Sequence, residues 1–308
     1  MRKPCIGIDL GGTGIKGGVV GPQGDVLIER VRRTPVEEGR DGILRELTAM
    51  IQELLDDPTS EGAAAAIGIG SAGRIDVSAG TVRYATDNLP GWTGTPLSEL
   101  MEDRFGLPVY VDNDVNAAAV GEAWLGQDTE ESAVSAPVVF IALGTGVGGA
   151  VVYEGNIIHG VNGGAGEVGH LLLKPGGHPC SCGQRGCLEQ YASGTALNRI
   201  AAELSPDWNS RMLLQRCAEG EPRAVAAVRA FAADVAAGLI SIRNVIDPAK
   251  FILGGGLVDS HEVWWDYVTD SLASMSKHRT IIEKAKLGNR AGMIGAAKLA
   301  MTKAAVGH

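Results

Sequence analysis

The sequence lacks the marks of several protein classes. It has no basic excess: 27 Lys and Arg stand against 36 Asp and Glu, a net charge of −9. That balance argues against a nucleic-acid surface. No apolar run reaches the ~20 residues of a membrane span, so no membrane partner is expected. Residues 1–5 lead straight into a β-rich run, so no targeting segment is expected, and a cytoplasmic location is. A disulfide framework is also missing. Five cysteines are an odd number, and clustered thiols fit a reducing compartment. Hydrophobic content of 45% and charged content of 20% are those of an ordinary globular enzyme. The 308 residues suggest two domains with an ample core.

Glycine is abundant, at 44 residues, and some of it falls into a repeat. A β-rich run through Asp9 leads into Gly11-Gly12-Thr13-Gly14, a second apolar run and a turn. A run from Val138 leads into Gly144-Thr145-Gly146, again followed by an apolar run and a turn. Each reads as a β-hairpin with a third strand. Gly12-x-Gly14-x-x-Gly17 matches a dinucleotide fingerprint, but that motif needs a helix directly after it. Gly17-Gly18-Val19-Val20-Gly21-Pro22 does not favour one. A Walker loop is excluded, because neither Ser nor Thr follows Lys16. A Gly/Thr hairpin turn still suits phosphate through exposed N–H groups. Two copies favour two loops on one polyphosphate, with Mg²⁺ beside Asp9. A third cluster, Gly254-Gly255-Gly256, follows a strand at 250–253, between helices at 223–245 and 263–275. Such a turn can accept a flat ring or a phosphate.

A short strand at 107–111 runs into Asp112-Asn113-Asp114-Val115-Asn116, ahead of an Ala-rich helix at 117–125. The plainest reading makes Asp114 or Asn116 a helix N-cap. The alternative is catalytic. A kinase acting on an alcohol needs a carboxylate to take the hydroxyl proton. Asp114 is the candidate base and Asn113 the orienting group, although spacing does not separate Asp114 from Asp112.

Cys180, Cys182 and Cys187 fall within eight residues, with Gly183 and Gly186 between them. Three Cys and one His form a standard tetrahedral zinc set. His170 is the expected fourth ligand and His178 the competitor. Four protein ligands leave no open position, so this zinc would be structural. Glu167 and Glu189 flank the ligands and are drawn to the same region.

Together these motifs resemble the ROK family (repressors, open reading frames, sugar kinases) over essentially the whole chain. The stretches Asp9-Leu10-Gly11-Gly12-Thr13-Gly14-Ile15-Lys16, Asp112-Asn113-Asp114-Val115-Asn116, Gly166-Glu167-Val168-Gly169-His170 and the cysteine block carry the resemblance. It implies an α/β chain with the two-domain actin-like ATPase or hexokinase-type fold, ribonuclease H-like domains and an interdomain cleft. The small domain would be residues 1–115 with the closing helix in 293–308. The large domain would be 116–292, with the zinc loop. The implied activity is ATP-dependent phosphorylation of a hexose 6-hydroxyl, with Asp114 as base. Gly73, Arg74, Asn113, Glu167, His170 and Glu189 would meet the sugar. Asp9, Gly11, Gly12, Thr13, Lys16, Thr145, Gly146, Gly255 and Gly256 would meet ATP and Mg²⁺. His170, Cys180, Cys182 and Cys187 would hold zinc. A homodimer or homotetramer is implied.

Glucose is the expected sugar. Asn88-Leu89-Pro90-Gly91-Trp92 resembles a glucokinase loop, whereas Gly73-Arg74 with Thr86 resembles N-acetylmannosamine kinases. A sugar-sensing repressor is the alternative from another class, and the sequence argues against it. It would need a helix-turn-helix segment ahead of Asp9, where eight residues stand.

Overall fold

The computed structural model describes residues 3–58, 64–126 and 136–306. In chain order the first part contains β1 (Cys5–Leu10), β2 (Gly14–Val20), β3 (Val26–Arg33), α1 (Gly39–Asp56), β4 (Ile67–Ser71), β5 (Arg74–Asp76), β6 (Thr81–Tyr84), α2 (Leu97–Phe105), β7 (Val109–Asn113) and α3 (Asp114–Leu125). Then come β8 (Val138–Leu143), β9 (Val147–Tyr153), β10 (Asn156–Ile157), α4 (Glu189–Ala192), α5 (Gly194–Leu204), α6 (Ser210–Ala218) and α7 (Pro222–Ile246). The last elements are β11 (Lys250–Gly254), α8 (His261–Met275), β12 (Ile282–Lys284) and α9 (Ala291–Val306). Residues pack into two units. The first is Met1–Thr129, Gly155–Ala165 and Lys286–His308, and the second is Glu130–Glu154 and Gly166–Ala285.

In the first unit the sheet order is β3-β2-β1-β4-β7. The β1–β2–β3 meander is antiparallel, and β4 pairs parallel with β1 and β7. Side chains alternate across a strand, and two strands use that period in one way. Ile6, Ile8, Ile67 and Ile69 share a buried cluster with Ile43, Leu47, Met50 and Ile51 of α1. The intervening Gly7 and Gly68 face α9 so closely that a Cβ would lie 2.0 Å from Met293 O and 1.9 Å from Ala296 O. An Ile-Gly alternation thus gives one face for packing side chains and one for packing backbone. The α3 and α9 helices meet equally closely, with Gly295 against Ala117 O and Gly121 against Ala291 O. A boundary at residue 115 would cut α3 after its second residue, yet these contacts keep it whole in the first unit.

The second unit repeats the pattern. Strands run β9-β8-β11-β12, with β8–β9 antiparallel and β11 parallel to β8 and β12. Each glycine turn therefore joins the first two strands of its unit. The α7 helix begins with Pro222 behind an Glu221 cap and ends at Asp247, whose φ is 49°. Pro248 forbids its continuation. Although charges interrupt its apolar runs, α7 is the one helix among the described residues long and apolar enough to cross a membrane. Here Val228, Phe231, Val235, Leu239 and Ile242 are buried in the core of this unit.

Candidate active site

In the first unit the site grows from the junction of β7 and α3. The strand runs to Asn113, two residues beyond the expected 107–111, and the helix starts at Asp114 rather than 117. The N-cap is Asn113, not Asp114 or Asn116. Its Oδ1 accepts from the amides of Val115 (2.9 Å) and Asn116 (3.2 Å), satisfying donors that the helix leaves unpaired. Its Nδ2 donates to Gly73 O and to Asp114 Oδ1, both at 2.9 Å. One amide thus fixes the helix start, a glycine turn and a carboxylate. Gly73 has φ +109°, and a Cβ there would lie 2.5 Å from Tyr84 O, so only glycine fits.

The two aspartates that spacing could not separate differ in surroundings. Asp112 is buried. Its Oδ1 accepts from Asn113 N (2.7 Å) and Asn116 Nδ2 (2.8 Å), and its Oδ2 lies 2.7 Å from His159 Nε2. Asp114 accepts through Oδ1, from Asn113 Nδ2 and from Val115 N at 3.0 Å. Burial, and after it the Asp9 carboxylate, push its carboxyl up to about 6. That is the range of a base working near neutral pH. Arg74, the first residue of β5, is exposed, with its guanidinium 3.9 Å from where a Cβ of Gly164 would stand.

The first glycine turn closes through Gly11 N to Gly14 O at 3.0 Å, and Thr34 Oγ1 donates to Gly11 O. Thr13 at its tip is exposed. A strand, β2, follows where a dinucleotide fingerprint would need a helix. Asp9 and Lys16 are register partners, with Nζ 4.0 Å from Oδ2. Burial raises the Asp9 carboxyl, against the pull of Lys16.

In the second unit the Gly144-Thr145-Gly146 turn is tied to the start of α5. Gly194 N donates to Gly144 O (2.7 Å), and Thr195 Oγ1 donates to Thr145 O (2.7 Å). Glu189 lies beside this turn. Its Oε2 accepts from Val147 N at 3.1 Å, and a Cβ on Gly146 would stand 2.2 Å from the same atom. Its Oε1 accepts from Cys180 Sγ at 3.7 Å. Gly255, at φ +85°, would bring a Cβ 2.5 Å from Leu143 O, while nothing lies within 4 Å of one on Gly256. That second position leaves open backbone beside the turn.

Ligand atoms of His170, Cys180, Cys182 and Cys187 all lie within 4.8 Å of one another. His170 Nδ1 is 3.6 Å from Cys180 Sγ, and Cys182 Sγ is 3.6 Å from Cys187 Sγ. Zinc–sulfur bonds of about 2.3 Å at tetrahedral angles separate two sulfurs by about 3.8 Å, so the spacing fits one ion. Burial and the neighbouring thiols hold Cys187 well above the ordinary thiol range; a divalent cation removes that cost. His170 Nε2 points the other way, 3.9 Å from Glu167 Oε2. His178 stands outside the group, its ring 5.3 Å from that of Tyr191.

Two residues were not singled out from sequence. His159 partners Asp112 across 47 positions, and nothing local announces it. Glu122 of α3 is fully buried and accepts from the amides of Lys286 (2.9 Å) and Leu287 (2.7 Å). A charge inside an Ala-rich helix was the available signal.

The chain is similar to known proteins. A glucokinase from Streptomyces coelicolor is 35% identical, over 96% of each chain. The ROK hexokinase from Thermus thermophilus superposes with a TM-score of 0.87 at 32% identity, covering 98% of this chain and 99% of that one. A ROK family glucokinase from Streptomyces griseus, solved with glucose and AMPPNP, superposes with a TM-score of 0.80 at 34% identity, covering 97% and 99%. The ROK family profile matches residues 5–303, and the chain belongs to the ROK family.

Proposed function

We propose that this chain is an ATP-dependent hexose 6-kinase whose sugar is glucose. The observation that carries the reading is the contrast between two neighbouring carboxylates. Asp112 is tied by His159, Asn116 and the Asn113 amide, while Asp114 is aimed by Asn113 and raised toward neutral pH. Relatives that are glucokinases, one of them solved with glucose and a nucleotide, support the substrate pair.

In this reading Asp114 takes the proton of the sugar 6-hydroxyl as that oxygen forms its bond to the γ-phosphorus and the bond to ADP breaks. Asn113, Glu167, His170 and Glu189 hold the other hydroxyls, with Gly73 and Arg74 lining the sugar's place. Backbone N–H groups of Gly11, Gly12, Thr13, Thr145 and Gly146, with Lys16, meet the phosphates, and Gly255 and Gly256 the adenosine. Asp9 faces Mg²⁺, which neutralises phosphate charge when bound. His170, Cys180, Cys182 and Cys187 hold a structural zinc that braces the loop carrying His170 and leading to Glu189. Homodimer or homotetramer assembly in the cytoplasm belongs to the same reading, and light scattering of the purified protein tests the assembly.

One feature favours a second sugar class. The exposed guanidinium of Arg74 directly follows the pocket glycine, as in N-acetylmannosamine kinases. ADP release measured across glucose, mannose, N-acetylglucosamine and N-acetylmannosamine decides. Glucose giving the highest kcat/KM supports the proposal, and an amino sugar giving it replaces glucose.

A further inference from the structure

The pairing of His159 with Asp112 has no part in the chemistry above, yet it reaches the residues that perform it. Asp112 is 3% exposed. A carboxylate only accepts hydrogen bonds, so the imidazole is held with a proton on Nε2, 2.7 Å from Oδ2. The other oxygen, Oδ1, accepts from the Asn113 backbone and the Asn116 side chain. Those two residues bracket Asp114. Asn113 in turn caps α3 and donates to Asp114 Oδ1. His159 also returns to its own segment, where its carbonyl accepts from Ala165 N at 3.1 Å. That segment, Gly155–Ala165, packs with the first unit although the chain on both sides of it packs with the second.

We propose that His159 is a positioning residue for the proton-accepting group. Through Asp112 it fixes the backbone of Asn113 and the first turn of α3, and so the direction of the Asp114 carboxylate. Without the imidazole, a buried carboxylate oxygen loses its donor, and Asp112 must turn or draw in water. Either response moves Asn113 and Asn116. A shift of about 1 Å at a reacting group costs about 100-fold in rate. The link to turnover rests on the hexose-kinase reading, whereas the link to the geometry of α3 does not.

The test compares His159→Leu with His159→Gln in the full-length protein. The glutamine amide reaches about as far as Nε2 and donates, and leucine does neither. Two readouts are taken, amide hydrogen exchange of peptides spanning 112–118 and steady-state kinetics with glucose and ATP. The Leu variant is expected to exchange the Val115 and Asn116 amides about tenfold faster or more. Its kcat is expected to fall about 10- to 100-fold while KM for ATP stays within about twofold. The Gln variant is expected to stay within about threefold of the parent in both readouts. Unchanged exchange in the Leu variant overturns the inference whatever the substrate proves to be. Faster exchange spread evenly over the first unit overturns it too, because that is general loosening. If the Leu variant does not fold, His159→Asn, whose amide falls short of Asp112, is read by the same measurements and criteria.

Discussion

Asn113 Nδ2 donates to Asp114 Oδ1 at 2.9 Å while Asn113 Oδ1 caps the helix that Asp114 begins. The candidate base is therefore held by the residue that starts its own helix, and its direction is a property of the β7–α3 junction. Removing that amide should cost turnover more than ATP affinity. Its protonation sets a pH dependence. A carboxylate accepts a proton only when ionised, so kcat/KM should rise with pH through a midpoint near 6 and then level. Burial is the larger cause of the raised value and Asp9 the second. Asp9→Asn should therefore move the midpoint down without returning it to 3.8. A pH–rate series on both proteins checks the direction.

The same raised carboxyl should cost stability. An acid whose folded pKa lies above its unfolded one binds its proton more tightly when folded. Its contribution favours the fold below the unfolded value of 3.8 and is lost as pH rises through about 6. At pH 7 Asp114→Asn should thus be more stable than the parent, by about 1 kcal/mol after allowance for solvent screening. That is a Tm gain of about 1–2 °C for a chain of this length. The gain should shrink toward pH 4, as thermal melts at both pH values will show.

Gly146→Ala probes the second unit. The added methyl would meet Glu189 Oε2 at 2.2 Å, and a flexible carboxylate can swing aside. The fold should survive, but Val147 N loses its acceptor. KM for the sugar should rise about tenfold, with a Tm loss of only a few degrees. Kinetics and melting on one preparation separate the two effects.

Zinc removal should act on sugar binding. Elemental analysis is expected to give one zinc per chain, and Cys182→Ser to lower that content. Metal-stripped protein should bind glucose about tenfold more weakly or worse. One equivalent of Zn²⁺ should restore it. Calorimetry of stripped and reconstituted protein provides the check.

Much of this fold was legible from local pattern. The β-rich run through Asp9 gave β1, and the paired glycine turns gave two hairpins. The cysteine spacing pointed to a four-ligand group, and the helix expected at 223–245 is α7. What was hidden depended on partners distant in sequence. Asp112 and Asp114 look equivalent until His159 is seen against one of them. The cap fell to Asn113 because its side chain reaches the amides of both Val115 and Asn116, whereas that of Asp114 accepts from Val115 N and not from Asn116 N. Assigning α3 to the first unit required knowing that Gly121 and Gly295 allow α9 to lie against it.

The central claim is that Asp114 takes the proton from a hexose 6-hydroxyl. The direct measurement is glucose-dependent ADP release by Asp114→Asn, with glucose binding followed by calorimetry on the same sample. The account predicts binding within about tenfold of the parent and turnover lower by about a thousandfold or more. A variant that binds glucose and turns it over at the parent's rate would contradict it.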